Sequence, residues 1–228
     1  MSKLPVLFVT CNSESLDLND HLVSGPARMV WGRSYKSVVL ISTNQRIVVP
    51  RVVPMKGSGV NAETMCGLLK DQGFVPEVKA RTGQTRDKLL EVLLAKKPES
   101  ISELELNTGM SEIEYRKVGK CLEVLRDEGV LLICLDDKTD RTGDELASLD
   151  NRHLREMLNA WVDDQRWGEA MSFNGEPNHA APSIRLDDPT ICLLNAAFTL
   201  GGSQFPQRMF STGMNKVTQT LSGFGWMK

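Results

Sequence analysis

Between Ser111 and Leu135 the chain dictates its own local structure more firmly than anywhere else. Ser111 stands three residues before Glu114, the spacing of a reciprocal N-terminal cap. Val118, Cys121, Leu122 and Leu125 then recur at helical intervals, and Gly129 supplies a residue at ease in the left-handed region where helices end. Val130–Leu135 follows as a short apolar run of strand length. Any fold must accommodate this capped helix, glycine stop and buried strand.

The flanks extend the pattern. Arg86–Lys97 carries Leu89, Val92 and Leu93 at helical spacing and ends before Pro98. Ser100 with Glu103 repeats the capping-box spacing, which predicts a short helix over Ile101–Asn107 that stops at Gly109. Asp136–Gly143 reads as a polar turn after the strand. Helix, short helix, turn, longer helix, glycine, strand and charged loop is the order of a winged helix-turn-helix. On these residues, 86–143 resemble the winged-helix family, with Ser100–Gly109 as second helix and Ser111–Asp127 in the recognition-helix position. The family mostly binds duplex DNA, and a sizeable minority mediates protein contacts. A second wing strand is hard to find, because Glu145 onward reads as helix, with Leu154, Leu158 and Trp161 on one side.

The N-terminal 60 residues read as β. Leu4–Thr10, a short Met29–Trp31, Ser37–Ser42 and Arg46–Val53 are the strands expected, the last two joined as a hairpin through Thr43-Asn44-Gln45. Pro50 places its strand at an edge or bulge. Ala62–Asp71 reads as a helix ending at Gly73, and Phe74–Val78 as a strand. Toward the C-terminus a Pro- and Gly-containing stretch, 168–188, reads as linker or loop. Pro189–Leu200 reads as a helix broken by Gly201-Gly202-Ser203, Pro206–Thr212 as a helical turn or two, and Met214–Ser222 as a final helix. The expectation is an α+β chain with a small basic β-rich region over 1–80, a winged-helix domain over 81–147, and a C-terminal helical, HTH-like module over 148–228.

Charge is unevenly distributed. The net charge is −2 over 228 residues, yet residues 21–62 contain no acid, while Arg28, Arg33, Lys36, Arg46, Arg51 and Lys56 all fall there. After Asp188 the chain is again free of acids, with Arg208, Lys216 and Lys228. Phosphate binding depends on local charge. Trp31, Arg33 and Tyr35 share one strand parity, so a basic face with aromatics can track a nucleic-acid backbone and stack bases; a core role for the two aromatics is the competing reading. On the final helix Asn215, Lys216, Thr218 and Gln219 are left outside when Met214, Val217 and Leu221 face the core, and such side chains can reach base edges or phosphate. An ordinary polar helix face fits equally. This closing segment also looks like the small DNA-binding tails of phage and plasmid replication polypeptides.

The helix in the recognition position presents Glu112, Arg116, Lys120, Glu123 and Asp127, with Glu112 and Arg116 spaced for an i,i+4 ion pair. Acids at its start repel phosphate, so Glu112, Arg116 and Lys120 point to partner docking or dimerisation. Chemistry finds little else. His21, His153 and His179 lie on separate segments without metal spacing, Asp136-Asp-Lys-Thr-Asp fails the calcium-loop pattern, and Lys56-Gly-Ser-Gly lacks P-loop order. No metal, cofactor or catalytic residue is expected. Five cysteines at irregular spacing suit reduced thiols in a cytoplasmic protein, and no apolar run approaches the ~18–20 residues of a membrane span. The expectation is a nucleic-acid-binding protein of regulatory or replication-accessory type, for DNA or single-stranded nucleic acid, that is a homo-oligomer or docks a partner protein. The alternative is a protein–protein adaptor or structural subunit.

Overall fold

The structure, a computed structural model of the chain, describes residues 3–11, 35–57, 60–80, 90, 94, 98–137, 189–204, 206–211 and 221–226. In chain order these form β1 (Val6–Cys11), β2 (Ser37–Asn44), β3 (Arg51–Lys56), α1 (Val60–Asp71), β4 (Glu77–Val78), β5 (Ser100–Asn107), α2 (Glu112–Leu122), a 3-10 turn (Glu123–Arg126), β6 (Val130–Asp137), α3 (Pro189–Leu200), β7 (Gln207–Ser211) and β8 (Leu221–Trp226). All the strands join one mixed sheet in the order β4-β3-β5-β2-β6-β1-β8-β7. Strands from the three expected regions, 1–80, 81–147 and 148–228, therefore lie side by side in a single α+β fold.

The centre of the sheet is parallel. β1 runs parallel to β6, β6 to β2, and β2 to β5; β3 and β8 flank this group antiparallel. Strands buried on both faces read as continuous apolar runs rather than alternations, and β2 and β6 are such strands. Val39, Ile41, Leu132 and Cys134 belong to a core under α1, α2 and α3. Val38, Leu40, Leu131, Ile133 and Leu135 face the opposite layer, with Tyr35, Leu90 and Leu94.

The capped helix forms as its residues dictate. Ser111 Oγ accepts from the Glu114 N–H at 3.3 Å, and Glu114 Oε2 accepts from the Ser111 N–H at 2.7 Å. Tyr115, Val118, Leu122 and Leu125 are its buried side, Cys121 is half-buried, and Gly129 ends the segment at φ +81°. Helix α1, with Gly73 at φ +84° beyond it, and α3 with its Gly201-Gly202 stop also match expectation.

Other segments depart from it. Ser100–Asn107 is strand β5, not the short helix expected there, so over residues 98–137 a strand, a turn, α2 and another strand stand where the helix-turn-helix order was expected. The cause is its Glu-Leu-Glu-Leu alternation, which puts Leu104 and Leu106 on the helix-covered face and both glutamates on the other. The hairpin of 37–42 with 46–53 is also absent, because β5 lies between β2 and β3. Asn44 turns the chain away by accepting the Arg46 N–H at 2.9 Å, and Ile47 is buried beyond it. Val130–Leu135 is not a wing at an edge; β6 lies between β1 and β2, and it continues through Asp136 and Asp137, the residues read as the start of a polar turn. Gln207–Ser211 is a strand rather than a helical turn, and Leu221–Trp226 is β8, not the end of a helix. The helix expected from residue 149, the 168–188 linker, and Met29–Trp31 lie outside the described residues, as does most of 86–97.

Candidate functional site

Because β1, β6, β2 and β5 run the same way, their carboxyl ends collect at one end of the sheet: Thr10 and Cys11, Asp136 and Asp137, Thr43 and Asn44, Leu106 and Asn107. The chain leaves β2 toward β3 on one side and returns, after β6, as β8 and β7 on the other. Such a divergence between neighbouring parallel strands is where open α/β sheets take their ligands.

Two adjacent carboxylates end the central strand there. Asp136 is 2% exposed and Asp137 9%. Successive strand residues point to opposite faces, so the pair straddles the sheet. Asp136 lies on the helix-covered side, where its Oδ2 accepts from Thr190 Oγ1 at 2.9 Å. Thr190 is the second residue of α3, so the Asp136 carboxylate meets the positive end of that helix dipole. Asp137 belongs to the other face. The apolar run Val130–Leu135 passing directly into two aspartates is the sequence signal of this candidate site: a fully buried parallel strand followed by carboxylates at its carboxyl end.

Beside it, on the same face as Asp137, polar residues of β2, β3 and β5 form separate sets of hydrogen bonds across the strands. Ser42 Oγ donates to Glu103 Oε1 at 2.6 Å, in a pair whose glutamate is 6% exposed. Asn44 Nδ2 and Arg51 Nη1 both donate to the Glu105 carboxylate at 3.3 Å. Asn107 Nδ2 donates to the Ile47 carbonyl. These bonds brace β2, β5 and β3 laterally.

The residues expected to bind nucleic acid are distributed differently. Tyr35 is 6% exposed and sits in the core, so it is not a stacking surface; the desolvation of its ring outweighs its place in a basic segment. Arg51 is paired with Glu105. Lys36 and Arg46 are exposed, one before β2 and the other beyond its far end. An eight-residue strand thus separates them, about 25 Å at the usual rise. Arg208 lies in β7. Arg28, Trp31, Arg33, Asn215, Lys216, Thr218 and Gln219 lie outside the described residues. On α2 the expected Glu112–Arg116 ion pair is present, but Arg116 Nε also donates to Asn195 Oδ1 of α3 at 3.0 Å, and Lys120 Nζ donates to Glu123 Oε2 at 2.8 Å. All three expected docking residues thus make contacts along α2, with the turn that follows it or with α3.

Among the described residues, no group of three His, Cys, Asp or Glu side chains is placed to hold a metal ion, and His21, His153 and His179 fall outside them. Among the described residues Cys66, Cys121, Cys134 and Cys192 form no disulfide; burial pushes the Cys121 pKa up to about 11 and raises that of Cys134 as well. No helix among the described residues is long and apolar enough to cross a membrane.

Neither models of protein families nor curated proteins match the chain. Among solved structures, the crystal structure of the uncharacterized protein JW3007 from Escherichia coli K12 is similar, with a TM-score of 0.63 and 13% identity over 98% of this chain and 99% of that one. At that identity the likeness extends to the fold alone: this chain has the architecture of that protein over nearly its whole length.

Proposed function

We propose that this chain binds a small polar ligand at the carboxyl ends of β2 and β6. The observation that carries the reading is the Asp136–Asp137 pair at the point where the chain leaves those strands in opposite directions. Carboxylate oxygens accept hydrogen bonds, so the ligand presents hydroxyl, amide or ammonium donors. Asp136, held by Thr190 at the start of α3, positions the strand end; Asp137, on the opposite face, is the contacting group. The test is thermal unfolding of wild type and Asp137→Asn against polyols, amino acids and nucleosides at millimolar concentration. At a concentration of about 100 times Kd, binding adds about 2.7 kcal/mol, which for a chain of this size raises Tm by about 5–10 °C. One class is expected to raise the wild-type Tm and to lose most of that effect in Asp137→Asn. No response to any class, or equal responses in both proteins, rejects the reading.

A second reading, nucleic-acid binding, is favoured by two exposed cations, Lys36 and Arg46, within the acid-free run. Its test is a gel-shift series with single- and double-stranded probes at two salt concentrations. Affinity that falls steeply with salt and weakens in Lys36→Ala and Arg46→Ala supports it; affinity indifferent to salt removes it.

A further inference from the structure

We draw no further inference here: the strongest candidate, the polar row of Ser42, Asn44, Arg51, Glu103 and Glu105 on the second face of the sheet, carries nothing because its side chains bond to one another across the strands and nothing in the structure shows what would meet the buried Arg51 Nε.

Discussion

Ser111 and Ser100 carry the same Ser-x-x-Glu spacing, and only one of them caps a helix. At Ser111 the reciprocal bonds form, and the Ser111 backbone N–H, then its hydroxyl, hold the Glu114 carboxyl below the usual carboxylate range. A depressed pKa contributes stability that is present above the ordinary carboxylate value and is lost as pH falls through the folded one. Glu114→Gln is therefore expected to lower stability by about 0.5–1 kcal/mol at pH 7, with the gap to wild type closing as pH falls below the ordinary carboxylate value; a series of urea titrations from pH 7 down to pH 2 measures it. A gap unchanged at the lower pH contradicts the cap. Arg126 is a second residue whose role is local and checkable. It is 1% exposed, and its Nε and Nη1 donate to the carbonyls of Leu4 and Leu200 at 2.7 and 2.8 Å, joining the entry of β1 to the end of α3. Burial lowers its pKa, while Glu123 and Asp127 act in the other direction. Arg126→Met leaves two carbonyls without these donors, and a loss of about 2–4 kcal/mol is expected, read as a lower urea midpoint at unchanged slope. Arg126→Lys, one donor group in place of a fork, is expected to fall between the two.

The elements show which local signals sufficed. The α2 helix was legible because its cap, its apolar spacing and its glycine stop are all contiguous in sequence. β5 was not, because the partners that make its glutamates acceptable are remote: Ser42 lies 61 residues from Glu103, and Arg51 54 residues from Glu105. Without them a buried Glu103 is costly, and the Ser100–Glu103 spacing favours a helix. The strand–strand pairing also overrode the polar linker 43–45, whose hairpin length says nothing about a third strand inserting between its arms. The carboxyl-end site was half visible: Asp136 and Asp137 are conspicuous, but only the sheet order makes β6 central and sets its end where the chain diverges. At the element scale, α2 and α3 pack closely enough that a Cβ on Gly119 would meet Thr199 Oγ1 and the Ala196 carbonyl. Since one of those atoms is backbone, Gly119→Ala forces the helices apart, and overpacking of this kind costs about 1–3 kcal/mol. Gly67→Ala on α1, where nothing lies within 4 Å, is the matched control and is expected to be neutral or slightly stabilising. Equal midpoints for the two variants would contradict the close crossing.

For the molecule as a whole, the decisive pairing joins its two ends. β1 receives β6 on one side and β8 on the other, with Leu7 opposite Ile133 and Gly225. β7 reaches the sheet through β8 alone. Trp226, at the end of β8, is 1% exposed; it packs where Gly201 leaves no room for a side chain, and its Nε1 donates to the Gln204 carbonyl at 2.7 Å. A chain ended after residue 220 would lose β8, detach β7, and expose the backbone edge of β1, whose Val6, Leu7, Phe8 and Val9 are all core residues. Such an apolar open edge is a site for aggregation. The truncated chain is expected to lack a cooperative unfolding transition and to associate, while Trp226→Ala, which keeps the β8 backbone, loses about 3–5 kcal/mol and still unfolds in one step. Circular dichroism melts with light scattering separate the outcomes. A truncated chain that melts cooperatively at the wild-type temperature would mean that the last strand is dispensable. Because the β1–β8 pairing closes a loop of more than two hundred residues, it is expected to form late, after the β2–β6–β1 core. Trp226→Ala is then expected to raise the unfolding rate and leave the refolding rate nearly unchanged, a split that stopped-flow fluorescence can resolve from the remaining tryptophans.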